Sequence, residues 1–260
     1  MSTSRRGIVE KMKKIACFNN KGGVGKSTIA VQLAHGLSKS DYKVLLIDLD
    51  SQNDCSLFLG VDDEGYNKTF FDLIDYRYPA KLEECIIPAR NNLYLLPNSR
   101  YDLIEKDFHR EPRIDVLLED KLSEVESYDF DYIIIDCSPS RGIINDAILY
   151  YVDNLVIPVQ LEAASIRGIA DIYSYLEDLK VSTSKIKVIV PNMYDQRTNE
   201  TKENLKQLKA IFKGQDVLSE PVYRRIKIAE ATKVGKTIYE YDDTAQKQFY
   251  NVLERVANIG

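Results

Sequence analysis

Residues 15–28, IACFNNKGGVGKST, constrain this chain more than any other stretch. A short apolar run, Ile15 to Phe18, enters a glycine-rich turn. The chain leaves that turn in a helical pattern with Ile29, Leu33, Ala34 and Leu37 on one side. Strand, loop and helix in that order build a phosphate site. Glycines let the backbone curl until successive N–H groups point at an anion, and the N-terminus of the next helix adds unpaired donors and its positive dipole end. Lys26 can reach the β- and γ-phosphates of a nucleotide, and the Ser27 hydroxyl can bind Mg²⁺. The common spacing G-x-x-x-x-G-K-[ST] is not met, because Asn20 stands at its first glycine. Gly22 and Gly23 precede Val24 and Gly25 instead, Thr28 follows Ser27, and a second lysine, Lys21, comes just before the glycine pair.

The rest of the chain alternates apolar strand runs with helices. Strands are expected at Lys43–Asp50 (KVLLIDLD), Leu93–Leu96, Tyr132–Asp136 (YIIID), Leu155–Val159 and Ile186–Val190. Helices are expected at 69–87, 101–109, 113–125, 143–151, 165–179, 200–212 and 245–256, with a mobile loop in the polar, glycine-punctuated stretch 52–68. This alternation predicts an α/β fold with a doubly wound, mostly parallel sheet and helices on both faces. In such sheets ligands bind beyond the carboxyl ends of the strands. Asn19, Lys21, Asp48, Asp50, Asp136 and Asn192 all fall just beyond or at strand ends, along one edge of the fold.

A length of 260 residues suits one such domain. Residues 1–13 read as a flexible extension, neither a secretory signal nor long enough for a helix-turn-helix. No apolar run approaches a membrane span. Cys17, Cys55, Cys85 and Cys137 are scattered with no metal-like spacing, so a reduced, cytoplasmic chain is expected. Net charge is −5 but uneven: residues 202–236 carry nine Lys/Arg against four acidic residues, an excess of +5 that leaves −10 elsewhere. Such asymmetry points to an anionic partner for that region.

Asp136 ends a strand downstream of the phosphate loop and fits a metal-holding role opposite Ser27. Asp48 and Asp50 are two apart, so an extended strand would put them on one side, where they repel unless a cation lies between them. K-G-G-x-G-K-[ST] resembles the deviant Walker A motif of the ParA/MinD ATPases. LIDLDSQND is similar to that family's switch segment D-x-D-P-Q-x-N, with Ser51 in place of proline. YIIIDCSPS, VPNMYDQRTN and RRIKIAEATKVGKTIYEYD resemble three later family segments, with Ser138, Thr232 and Val234 as departures. Their order and spacing identify the chain as a member of the ParA/Soj-type partition ATPases.

The resemblance implies ATP and Mg²⁺ as cofactors. It implies that Asp50 positions the attacking water, that Asp48 and Asp136 lie at the metal, and that Asn192 and Met193 lie near the base. It implies that Lys21 crosses to the phosphates of a partner subunit, giving an ATP-sandwich homodimer. A dimer of this kind would bind non-specific DNA through Arg224, Arg225, Lys227, Lys233 and Lys236, associate with the nucleoid, and let go after hydrolysis stimulated by a ParB-like adaptor. A MinD-like membrane regulator is the competing reading, but the tail QFYNVLERVANIG lacks the Lys/Arg-rich amphipathic pattern it needs. The same cycle could position a protein organelle. A nitrogenase-type iron protein is excluded, because Cys85 and Cys137 do not sit in its cluster motifs.

Overall fold

A computed structural model describes residues 11–61 and 67–259. Residues 1–10 of the expected extension and 62–66 of the expected loop lie outside the described residues. The strands are β1 (Lys13–Cys17), β2 (Val44–Leu49), β3 (Ile87–Arg90), β4 (Leu93–Leu96), β5 (Tyr132–Cys137), β6 (Asn154–Gln160) and β7 (Ile186–Asn192). They form one sheet in the order β3-β4-β2-β5-β1-β6-β7. Every pairing is parallel except β3 with β4.

Alternation along each strand explains why the sheet needs cover on both faces. Ile15 and Cys17 of β1 join one apolar layer with Val44, Leu46, Tyr132 and Ile134. Ala16, Phe18, Leu45, Ile47, Ile133 and Ile135 join the other. On the first face lie the loop helix (Lys26–Lys39), the short switch helix (Asp54–Leu59), and the C-terminal helix (Tyr250–Ala257) through Val252 and Val256. On the second lie helices Tyr101–Phe108, Ile114–Lys121, Ile143–Tyr151 and Ala163–Asp178. The doubly wound, mostly parallel architecture is the one the strand–helix alternation calls for.

Several local expectations change. Residues 69–87 do not form one helix. They fold as two single turns, Phe70–Leu73 and Leu82–Cys85, each opened by an acidic side chain that accepts the N–H of the residue before the turn: Asp72 from Thr69 at 2.8 Å and Glu84 from Lys81 at 3.0 Å. Between them Asp75 holds a turn by accepting the backbone N–H groups of Arg77 and Tyr78 at 2.7 and 2.8 Å. The antiparallel strand β3, IPAR, follows directly. The 113–125 region gives a helix at Ile114–Lys121 and then a 3₁₀ turn at Ser123–Ser127. The last region opens as a 3₁₀ turn, Ala245–Phe249, before its α-helix. In the expected 52–68 loop, Asp54–Leu59 is helical. β1 begins at Lys13, the last residue of the expected extension.

Candidate nucleotide site

The parallel strands β1, β2, β5, β6 and β7 carry their C-terminal ends to one edge, and the phosphate loop leaves β1 there. Gly25 precedes the loop helix with φ +91, and no side chain caps that helix N-terminus. Its first turn also holds no acidic residue. Unpaired N–H donors and a positive dipole end are therefore presented to an anion. Gly23 is left-handed too, with φ +74 and open space where a Cβ would point. Gly22 is exposed, with Pro139 3.8 Å from the place a Cβ would take. Val24 is buried, Ser27 and Thr28 open the helix half-buried, and Lys26 is buried with its ammonium 3.4 Å from the Lys21 carbonyl.

Asn192 at the end of β7 locks this loop: its Nδ2 donates to the Val24 carbonyl at 2.8 Å. A Cβ on Gly25 would sit 2.3 Å from that same Nδ2, so the lock requires glycine there. The amide expected near a base is thus also a loop clamp. Met193 follows with φ +56, and Arg224 approaches its sulfur at 3.8 Å.

Lys21 does not lie over its own loop. Its ammonium donates to Glu162 Oε2 and Ser165 Oγ, both at 3.0 Å, beyond the end of β6. These two partners were not legible beforehand, since 141 and 144 residues separate them from Lys21. The only signal was their place just after a strand end.

Asp48 and Asp136 are register partners on β2 and β5, and both are fully buried. Strand pairing forces the two carboxylates together. Asp48 accepts the backbone N–H of Asp50 and that of Cys55, each at 3.0 Å, so it also holds the switch loop and the start of the switch helix. β2 ends at Leu49, and the loop rather than strand alternation orients Asp50. Its carboxylate accepts the Gln52 N–H at 3.1 Å and the Ser51 hydroxyl at 3.4 Å. A latch missed in the sequence holds the far side of this loop, where Asn53 Nδ2 donates to the Asn98 carbonyl at 2.7 Å.

Burial pushes the Asp48 carboxyl up to about 7, against the pull of its two backbone donors. Burial, and then the charge of Asp48, push Asp136 well above the usual carboxylate range, opposed by hydrogen bonding from Ser27. Asp136 Oδ1 is buried with no hydrogen-bond partner. Two buried carboxylates, an orphaned oxygen and a nearby hydroxyl form a hard-oxygen donor set, which fits Mg²⁺. Cys55, whose thiol reaches Asp136 Oδ2 at 3.5 Å, is the unexpected neighbour.

The raised pKa values carry a stability consequence. Between about pH 4 and 7 the folded chain keeps a proton on this pair that the unfolded chain has released. Stability from this pair is therefore expected to decline as pH rises through that window in chelator, and Mg²⁺ with ADP should flatten the decline. The difference in Tm between the natural chain and Asp48→Asn across pH isolates the effect, and no pH dependence in that difference would contradict it.

The basic side chains lie further along. Arg224, Arg225, Lys227, Lys233 and Lys236 are all exposed, on or beside the basic helix Ile226–Lys233. Arg225 lies over the Tyr223 ring, and Lys227 pairs with Glu230 at 3.0 Å. Among the described residues no helix is long and apolar enough to cross a membrane.

Comparison with known proteins agrees with this geometry. The AAA domain family AAA_31 matches residues 12–189. Soj of Bacillus subtilis, a sporulation initiation inhibitor protein, is 31% identical over 95% of this chain and 99% of its own. The chromosome partitioning protein ParA of Myxococcus xanthus is 30% identical over 88% of this chain and 82% of its own. Among solved structures, an ATP complex of a Cyanothece McdA variant superposes with a TM-score of 0.81 at 25% identity, over 95% of this chain and 96% of that one. On the phosphate loop, the paired strand-end carboxylates and these matches, the chain belongs to the ParA/Soj-type ATPases.

Proposed function

We propose that the chain is a partition ATPase whose Mg-ATP form is a sandwich homodimer that binds DNA without sequence preference and is released by adaptor-stimulated hydrolysis. The observation that carries this reading is the phosphate loop with a second lysine beside it. Lys26 and the uncapped helix start would hold the phosphates. Ser27, Asp48 and Asp136 would hold Mg²⁺, which when bound neutralises phosphate charge. Asp50 would orient the attacking water. Lys21, tethered by Glu162 and Ser165 on its own chain, is only half-buried and would reach a partner's phosphates, a charge delivered in trans. Nucleotide would then control assembly by mass action, since ATP bridges two chains.

The exposed cations at 224–236 favour DNA as the anionic surface. The membrane-cycling reading is disfavoured, because Phe249, Val252 and Val256 of the C-terminal segment are fully buried in the core. A ParB-like adaptor fits the family, and the same cycle serves a plasmid, a chromosome or a protein organelle as cargo.

Light scattering or sedimentation tests the assembly step. The Asp50→Ala chain with Mg-ATP is expected to be a dimer, and with ADP a monomer. Gly23→Val should still bind nucleotide yet stay monomeric, because its side chain would fill the open space in front of the loop and hold a β-branched residue at positive φ. A dimer of equal stability without nucleotide would refute this.

A further inference from the structure

The switch helix is short and held at both ends. Its start hangs on Asp48, through the Cys55 N–H. Its end, Leu59–Gly60, meets the end of the basic helix at Gly235. Both glycines are left-handed, with φ +65 and +63. A Cβ on Gly235 would lie 2.4 Å from Gly60 Cα, and one on Gly60 would lie 2.8 Å from the Gly235 carbonyl oxygen. The two backbones touch, and no side chain fits between them.

Two helix C-termini in contact bring carbonyl oxygens and partial negative charge together. A cation stands at that point. Arg90, on the edge strand β3, donates from Nη1 to the Leu59 carbonyl at 3.0 Å and the Ala89 carbonyl at 2.6 Å. Its Nη2 donates to the Gly235 carbonyl at 3.1 Å and to Glu240 Oε2 at 3.1 Å, and its Nε to Glu240 Oε1 at 2.7 Å. All five guanidinium donors are used. One planar group thus joins the end of the switch helix to the end of the basic helix and to Glu240.

Glu240 extends the joint toward the phosphate loop. It accepts the Thr237 N–H at 2.9 Å, the Thr237 hydroxyl pairs with His35 Nδ1 at 2.6 Å, and the Ile238 N–H donates to Gln32 Oε1 at 3.1 Å. His35 and Gln32 belong to the loop helix. The end of the basic helix is thus joined to the switch helix, and the segment that directly follows it, Thr237–Ile238, is bonded to the loop helix.

We infer that Arg90 is a positioning residue that transmits the state of the nucleotide site to the basic helix, through its bonds to Leu59, Gly235 and Glu240. A switch helix of six residues spans only about 9 Å, so a shift at Asp48 reaches Gly60 with little slack. The inference deepens the proposed nucleotide-switched DNA binding and rests on that reading only for what the basic helix touches.

Hydrogen exchange by mass spectrometry on the full chain reads the link directly, with and without Mg²⁺ and a slowly hydrolysed ATP analogue. In the natural chain, exchange is expected to change in both 51–60 and 226–236. In Arg90→Met, 51–60 should respond as before, while the response of 226–236 drops by about fivefold or more. Arg90→Lys should not restore it, because a single ammonium cannot span two helix ends and a carboxylate. Should Arg90→Met fail to fold, judged by its thermal melt, Glu240→Gln is read instead, with a smaller drop in the same segment. An unchanged response of 226–236 in these variants overturns the inference. So does an unresponsive 226–236 in the natural chain, or loss of response in both segments, which would make Arg90 a support of the nucleotide site itself. None of these readouts contains DNA, so a failure of the DNA reading would appear separately, as absence of DNA binding by the natural chain.

Discussion

Replacing Asp50 by alanine is expected to cut ATP turnover by about a hundredfold or more while leaving Mg-ATP bound with nearly unchanged affinity. The separation follows from where the side chain sits. The Asp50 carboxylate is engaged by its own loop, through the Gln52 N–H and the Ser51 hydroxyl, and makes none of the contacts that shape the phosphate loop. The loop keeps its clamp from Asn192 to Val24 in the variant, and the uncapped helix start keeps its donors. Binding groups thus survive, and only the carboxylate proposed to orient water is lost. Phosphate release in steady state and nucleotide affinity by fluorescence, measured on the same preparations, check both halves. Equal turnover by the variant and the natural chain would remove Asp50 from the reaction.

The loss should not be recovered by Ser51. Its hydroxyl is a donor toward Asp50 at 3.4 Å, a longer contact than the backbone one from Gln52. It lacks the charge that makes a carboxylate a strong acceptor for water. Its presence where the family segment carries proline leaves the loop held chiefly by hydrogen bonds, including the Asn53 latch to Asn98.

Much of this site could be read in the sequence because strand ends declare themselves. KVLLIDLD and YIIID are continuous apolar runs that stop at carboxylates, and a parallel sheet brings such ends together. Asp48 and Asp136 emerge as register partners for that reason. The glycine loop was legible because only a few residue types tolerate its backbone. What stayed hidden was set by contacts between distant segments. Glu162 and Ser165 hold Lys21 from the far side of β6, and no local pattern marks them. Arg90 sits in IPAR, a half-buried edge strand with a register shift and a proline, which gives none of the alternation that announces a strand. Its pairing with Glu240, 150 residues away, appears only in three dimensions. The 69–87 region misled because short apolar patches mixed with charges look like one helix, whereas Pro79 and the Asp75-held turn break it into single turns.

Arg224 contacts the Met193 sulfur beside the phosphate loop clamp, so changing it would disturb both surfaces at once. Arg225 and Lys233 are exposed and make no contact with that clamp in the described geometry, which suits them better for separating DNA contact from nucleotide contact.

The second large effect is on DNA. A monomer offers a few exposed cations, whereas the proposed nucleotide-bridged dimer would offer two sets, which would multiply the affinity without any new kind of contact. Arg225→Glu with Lys233→Glu should abolish DNA binding and leave ATP-dependent dimerisation intact. Nucleotide is expected to switch that surface, and interferometry on non-specific duplex DNA tests this most directly, with Mg-ATP or ADP at several salt concentrations. With ATP the natural chain is expected to bind tightly, at least about tenfold more so than with ADP. Log affinity should fall against log salt with a slope of about 0.9 per phosphate contact. Equal DNA affinity with ATP and with ADP, or strong binding to anionic liposomes with none to DNA, would contradict it.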